Sequence, residues 1–141
     1  MRRFAPLLAV ACMAACGGGD DSGSARPGQL PDCAKAKEID APEQFPKDFP
    51  LPEGTVVTFG GFTEPATVFI AAVSPGTFGD VRDFFEGELE RRGYRVGVGD
   101  AEEGEAEAPF TGNGYRGRWL VRKVRDCDAA TSVRLILIKQ A

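Results

Sequence analysis

The residues able to do chemistry fall into three groups: four cysteines, a run of carboxylates, and a row of arginines. Asp100, Glu102, Glu103, Glu105 and Glu107 form the densest cluster of one charge. Several oxygens close together suit a hard cation such as calcium, but EF-hand spacing is missing and such clusters commonly sit in water. Around the strand-like segment 114–124, Arg116, Arg118 and Arg122 alternate with Tyr115, Trp119 and Val121, and Arg134 on the next segment extends the row. Arginines on one face, with Trp119 or Tyr115 as an aromatic anchor, would suit an anionic envelope polymer, lipid head groups or a protein partner. A solvated sheet face partly neutralised by the neighbouring acidic run is the simpler account of the same pattern.

There is no histidine. That removes the commonest general base, the commonest metal ligand and every Ser-His or Cys-His pairing. Ser74, Thr77 and Ser132 have no identifiable base, and Gly112-Asn113-Gly114 lacks the lysine and strand-to-helix context of a phosphate loop. We therefore expect no catalytic residues, no metal ligands and no cofactor. A small hydrolase using two carboxylates stays as an alternative, without any reason to choose the pair.

The cysteines divide by position. Arg2 and Arg3 precede the apolar stretch Phe4 to Ala15, and small residues Ala14 and Ala15 lie just before Cys16. A charged start, a short apolar run and small residues at a cut site are the marks of a signal peptide. The run is too short for a membrane-spanning helix, which needs about 20 residues. Met13-Ala14-Ala15-Cys16 resembles the lipobox of bacterial lipoproteins, with Met13 where leucine is usual. Cys12, after Ala9-Val10-Ala11, is a competing site. The resemblance implies cleavage before Cys16 and acylation of its thiol, and hence export and anchoring to the cell membrane, outside the cytoplasm, through an N-terminal lipid. Two acyl chains give stable binding where one is marginal.

If residues 1–15 are removed, 15 basic residues face 21 acidic ones, a net charge of −6. Nucleic-acid binding is not expected from such a balance. With Cys12 removed and Cys16 acylated, Cys33 and Cys127 remain, and an exported domain most simply pairs them.

Residues 16–32 read as a Gly/Ser/Asp-rich tether, and 33–141 as a single domain. Pro42, Pro46, Pro50 and Pro52 forbid a helix interior or a central strand in 33–52, which is expected to be an extended arm docked through Phe45, Phe49 and Leu51. Strands are expected at Thr55–Phe59, Thr67–Val73, Tyr94–Val98, Gly114–Val124 and Thr131–Lys139, the last two joined by 125–130. A helix is expected over Phe78–Arg92: Thr77 and Asp80 cap its start, Phe78, Val81, Phe84, Phe85 and Leu89 share one face, and Gly93 stops it. Residues 100–108 read as a loop. The fold class is α+β, a two-layer sandwich with one helix on an antiparallel sheet of about five strands.

The segment from Phe49-Pro-Leu-Pro-Glu-Gly to Tyr94-Arg-Val is similar to a pattern in poorly characterised exported bacterial lipoproteins. This resemblance implies the fold and an envelope location, and no activity. The expected function is a lipid-anchored, non-catalytic binding or accessory domain. The alternative in another class is an assembly component that joins a complex through its arm or sheet edge.

Overall fold

The structure is a computed structural model that describes residues 28–141. The proposed signal segment, Cys12, Cys16 and most of the tether lie outside the described residues. Strands β1 (Val56–Thr63) and β2 (Thr67–Pro75) are followed by helix α1 (Phe78–Arg91). Then come β3 (Arg95–Val96), β4 (Asp100–Glu102), β5 (Glu105–Gly112), β6 (Tyr115–Val124) and β7 (Cys127–Lys139). All pairings are antiparallel, in the order β1-β2-β7-β6-β5-β3, with β4 also on β5. The α+β class with one helix holds, but the sheet has seven strands, not about five.

The two additional strands, β4 and β5, replace the expected loop 100–108. Ala106, Ala108 and Phe110 are buried, while Glu105, Glu107 and Pro109 alternate outward. That is a half-buried strand written in residues of low strand propensity, so its composition resembled a loop. The expected strand Tyr94–Val98 shortens to Arg95–Val96 for a related reason. Val96 pairs with Phe110 and Asp100 with Glu107, so segment 97–99 holds one residue more than the strand opposite. This is a β-bulge on the sheet edge. At Gly99 a Cβ would lie 2.3 Å from the Glu107 carbonyl oxygen, which explains the glycine. Pro109 tolerates an interior strand because of the same bulge. Its carbonyl accepts from Gly97 N–H at 2.8 Å, so its nitrogen, which has no hydrogen to donate, faces the bulged edge and not β6.

The connection expected over 125–130 is also shorter: Cys127 already pairs with Val124, leaving Arg125 and Asp126 as the turn. Asp126 takes φ +58° there, a conformation that Asp tolerates better than most residues.

The helix stands as expected, with Arg92 as its C-cap. Thr77 Oγ1 accepts from Asp80 N–H while the Asp80 carboxylate accepts from Thr77 N–H, a reciprocal capping box. Val81, Phe85 and Leu89 are buried against the sheet, where they meet Val68, Ile70, Trp119, Val121, Val133 and Leu135. Phe85 stacks on Trp119 with centroids 5.9 Å apart and planes at 16°. Burial of each such side chain contributes roughly 1.5–3 kcal/mol.

The arm docks as expected. Ile39 N–H donates to the Val57 carbonyl at 2.9 Å along the outer edge of β1. Phe45 and Phe49, at 7% and 5% exposure, then enter the core, where Phe49 packs on Tyr94 and Phe110 at centroid distances of 5.5 and 5.4 Å. Cys33 and Cys127 form a disulfide with Cα atoms 5.5 Å apart, 94 positions apart in sequence. Around it Ala34, Cys127 and Ala130 form a small cluster with Val73 and Val124. The staple thus pins the beginning of the arm to the beginning of β7. No helix among the described residues is long and apolar enough to cross a membrane.

Candidate docking face of the sheet

The helix and arm cover one side of the sheet. The opposite side carries no second layer among the described residues, except at the disulfide end, where Ala34 packs near Val73 and Val124. Strand alternation assigns each side chain to a face. Arg116, Arg118 and Arg122 fall on the open face of β6, and Arg134 on that of β7, so the four predicted arginines do share a surface.

Their aromatic companions do not. Trp119 is 1% exposed and lies under the helix. Tyr115 is half-buried and packs against the same core. Neither is on the arginine face, as the alternation requires: both occupy odd positions of β6, the arginines even ones. This corrects the expectation of Trp119 or Tyr115 as an anchor.

The open face has different aromatics, which sequence reasoning missed. In β1 the register shifts between Val57 and Phe59. Val57 points into the core, and a regular strand would send Phe59 the same way; the bulge turns Phe59 outward instead, 62% exposed. Its ring meets Phe69 at 5.8 Å. The Phe69 ring lies across Gly61, where a Cβ would come within 2.7 Å of it. Ile136, 47% exposed, stands beside them on β7. Phe59, Phe69, Ala71, Ile136 and Arg134 line a shallow depression of about 340 Å³. The one sequence signal was in β2, whose residues 68–73 are apolar on both alternating faces.

The charged half lies toward β5. Glu105 is directly opposite Arg122 and forms an ion pair with it, and Glu107 pairs diagonally with Arg118. Hydrogen bonding to Glu105 holds the Arg122 guanidinium more firmly protonated than usual. The acidic run therefore neutralises two of the four arginines. Arg116 and Arg134 have no carboxylate within 4.0 Å among the described residues. The face is thus an apolar patch bordered by two unneutralised cations, with a paired-charge field beyond them.

Other groups that could do chemistry have structural partners. Ser74 is fully buried and accepts from Thr55 Oγ1 at 3.1 Å. Thr77 is the helix cap. Glu88 accepts from Arg92 at 2.9 Å and also from Arg91, and these bonds lower its pKa. No group of three or more cysteine and carboxylate side chains among the described residues could hold a metal ion. A second cavity of about 300 Å³ lies between the helix and the bulged edge, lined by Glu86, Glu90, Val96, Ala101 and Trp119. The Trp119 Nε1–H has no acceptor among the described residues. Comparison with protein-family models, curated proteins and solved structures found no match.

Proposed function

We propose that the chain is a lipid-anchored protein of the bacterial cell envelope. The domain is a non-catalytic binding module that uses the open face of its sheet. The Cys33–Cys127 disulfide carries this reading. Disulfides persist in oxidising compartments outside the cytoplasm, and export is what the charged start, apolar run and Met13-Ala14-Ala15-Cys16 imply. The use of serine, threonine and carboxylate groups as caps, ion pairs and buried hydrogen bonds supports binding over catalysis. Assembly through the Phe45/Phe49 arm loses support, because both rings are held inside the domain's own core.

Intact-mass measurement of the protein extracted from host membranes tests the reading. The expected species begins at Cys16, carries a diacylglyceryl group and gains one hydrogen per sulfur of the staple on reduction. An unmodified N-terminus upstream of Cys16, or a lipid on Cys12, would overturn the assignment of Cys16.

A further inference from the structure

The open face allows its counterpart to be named by chemistry. Resting on the anchored reading above, we infer that this face docks on an anionic lipid surface through Phe59, Phe69 and Ile136, with Arg116 and Arg134 engaging the head groups. Three observations support it.

The first is the composition of the patch. Phe59 and Ile136 are among the most exposed large apolar side chains of the described residues. Strands β1 and β2 contain no charged residue, and β7 contributes only Arg134 to the open face between positions 130 and 138. Aromatic and aliphatic groups flanked by arginine suit the boundary between acyl chains and head groups.

The second is the distribution of charge. Between Asp80 and Arg92 the helix carries five carboxylates against three arginines, and arm residues 32–53 carry six carboxylates against three lysines. The helix residues lie on the covered side, and the arm runs along the β1 edge after Asp32, which adjoins the disulfide end where Ala34 packs on the open side. The carboxylates of the open face itself, Asp100, Glu102, Glu105 and Glu107, are gathered on β4 and β5, where Arg118 and Arg122 pair with two of them. The attraction for an anionic surface is therefore local to Arg116 and Arg134 beside the apolar patch.

The third is reach. Eleven residues separate Cys16 from Gly28, spanning at most about 40 Å when fully extended. Gly28 shares a surface cavity with Ala129, at the start of β7. Ile136 lies about 20 Å along that strand. A domain held so close to the bilayer meets it at high effective concentration, so even weak affinity of the face is realised.

All core residues and both staple cysteines lie within 28–141, so the chain from Gly17 onward contains the whole fold. This unlipidated chain should co-sediment with phosphatidylcholine vesicles containing phosphatidylglycerol, less with phosphatidylcholine alone, and progressively less as salt rises. The double variants Phe59→Ser/Ile136→Ser and Arg116→Glu/Arg134→Glu should each weaken partitioning by about tenfold or more, from lost apolar insertion and lost head-group attraction respectively. The salt titration needs no variant, so it decides the matter even if a variant misfolds. Absence of vesicle binding would overturn the inference, as would binding indifferent to salt and to both variants. A concentration-dependent dimer abolished by Phe59→Ser/Ile136→Ser, without vesicle affinity, would overturn it in favour of self-association. The anchor is decided separately by the mass at Cys16: vesicle affinity with an unmodified Cys16 removes the tether and keeps the face, and a lipidated Cys16 without vesicle affinity does the reverse.

Discussion

The two faces of this sheet are built from the same strands and are put to opposite uses. On the covered face, Val68, Ile70, Trp119, Val133 and Leu135 are sealed beneath the helix and arm. On the open face, Phe69, Ile136 and Ile138 extend the apolar character of β2 and β7 toward solvent with none of the described residues layered over them. Isolated exposed apolar residues are ordinary, and contiguous ones on a flat surface mark interaction sites. Stability accounts for the first set of side chains. It does not account for the second, and the bulge that turns Phe59 outward makes the second set larger than regular pairing would.

The contrast can be broken by mutation. Trp119→Ala on the covered face should cost about 3–5 kcal/mol in urea unfolding, as for other large-to-small changes in a core. A loss below about 1 kcal/mol would mean that the helix–sheet layer does not hold the fold. Next in size is the staple. Cys33→Ser/Cys127→Ser should cost about 2–4 kcal/mol, under a chain-entropy ceiling of about 4.7 kcal/mol for a loop near this length. The Ile39 and Phe45 amides, at the arm's contacts, should then exchange hydrogen faster than those of β6. Equal acceleration everywhere would show that the arm is no separate unit.

A smaller effect is expected on the outward side of the helix. Arg92 and Arg91 hold the Glu88 carboxyl below its ordinary range. The native state therefore gives up this proton more readily than the unfolded chain, and the stabilisation is complete above the ordinary carboxylate pKa. It should vanish as pH falls through the lowered value, so wild type and Glu88→Gln should converge in thermal melts under acid. Divergence toward low pH would contradict the pairing. Smallest of all, Phe59→Ser should shift stability within about 0.5 kcal/mol. A loss as large as that of Trp119→Ala would show that Phe59 is part of the core and erase the distinction between the faces.

What was legible in the sequence follows from how each element announces itself. The helix declared itself through Thr77, Asp80 and the spacing of Val81, Phe85 and Leu89, because its cap and its buried stripe lie within one short segment. Segments β6 and β7 were equally open to reading, since long alternating runs set one face apart. The arginine row was found for the same reason. Its true apolar neighbours were not, because the outward turn of Phe59 depends on a register shift against β2 that exists only between two strands. Segment β5 stayed hidden because alanine, glutamate and Pro109 carry little strand preference; its pairing is decided by Trp119 and Arg122 across from it and by the bulge beside it. The separation of Tyr115 and Trp119 from the arginines was already in the alternation along β6, and the same alternation bars either ring from anchoring a ligand on the arginine face.

The staple has a mechanical corollary. Any pull on the residues that precede Cys33 reaches Cys127 directly through the sulfur bridge. It enters the sheet at β7, the strand flanked by β2 and β6. The arm, the helix and all six of the other strands lie inside the covalent loop and β7 begins at its closure, so tension bypasses the docked Phe45 and Phe49 and does not peel them off. Load from the N-terminal side falls on the most thoroughly hydrogen-bonded part of the molecule, which must be sheared along its length before anything else gives way.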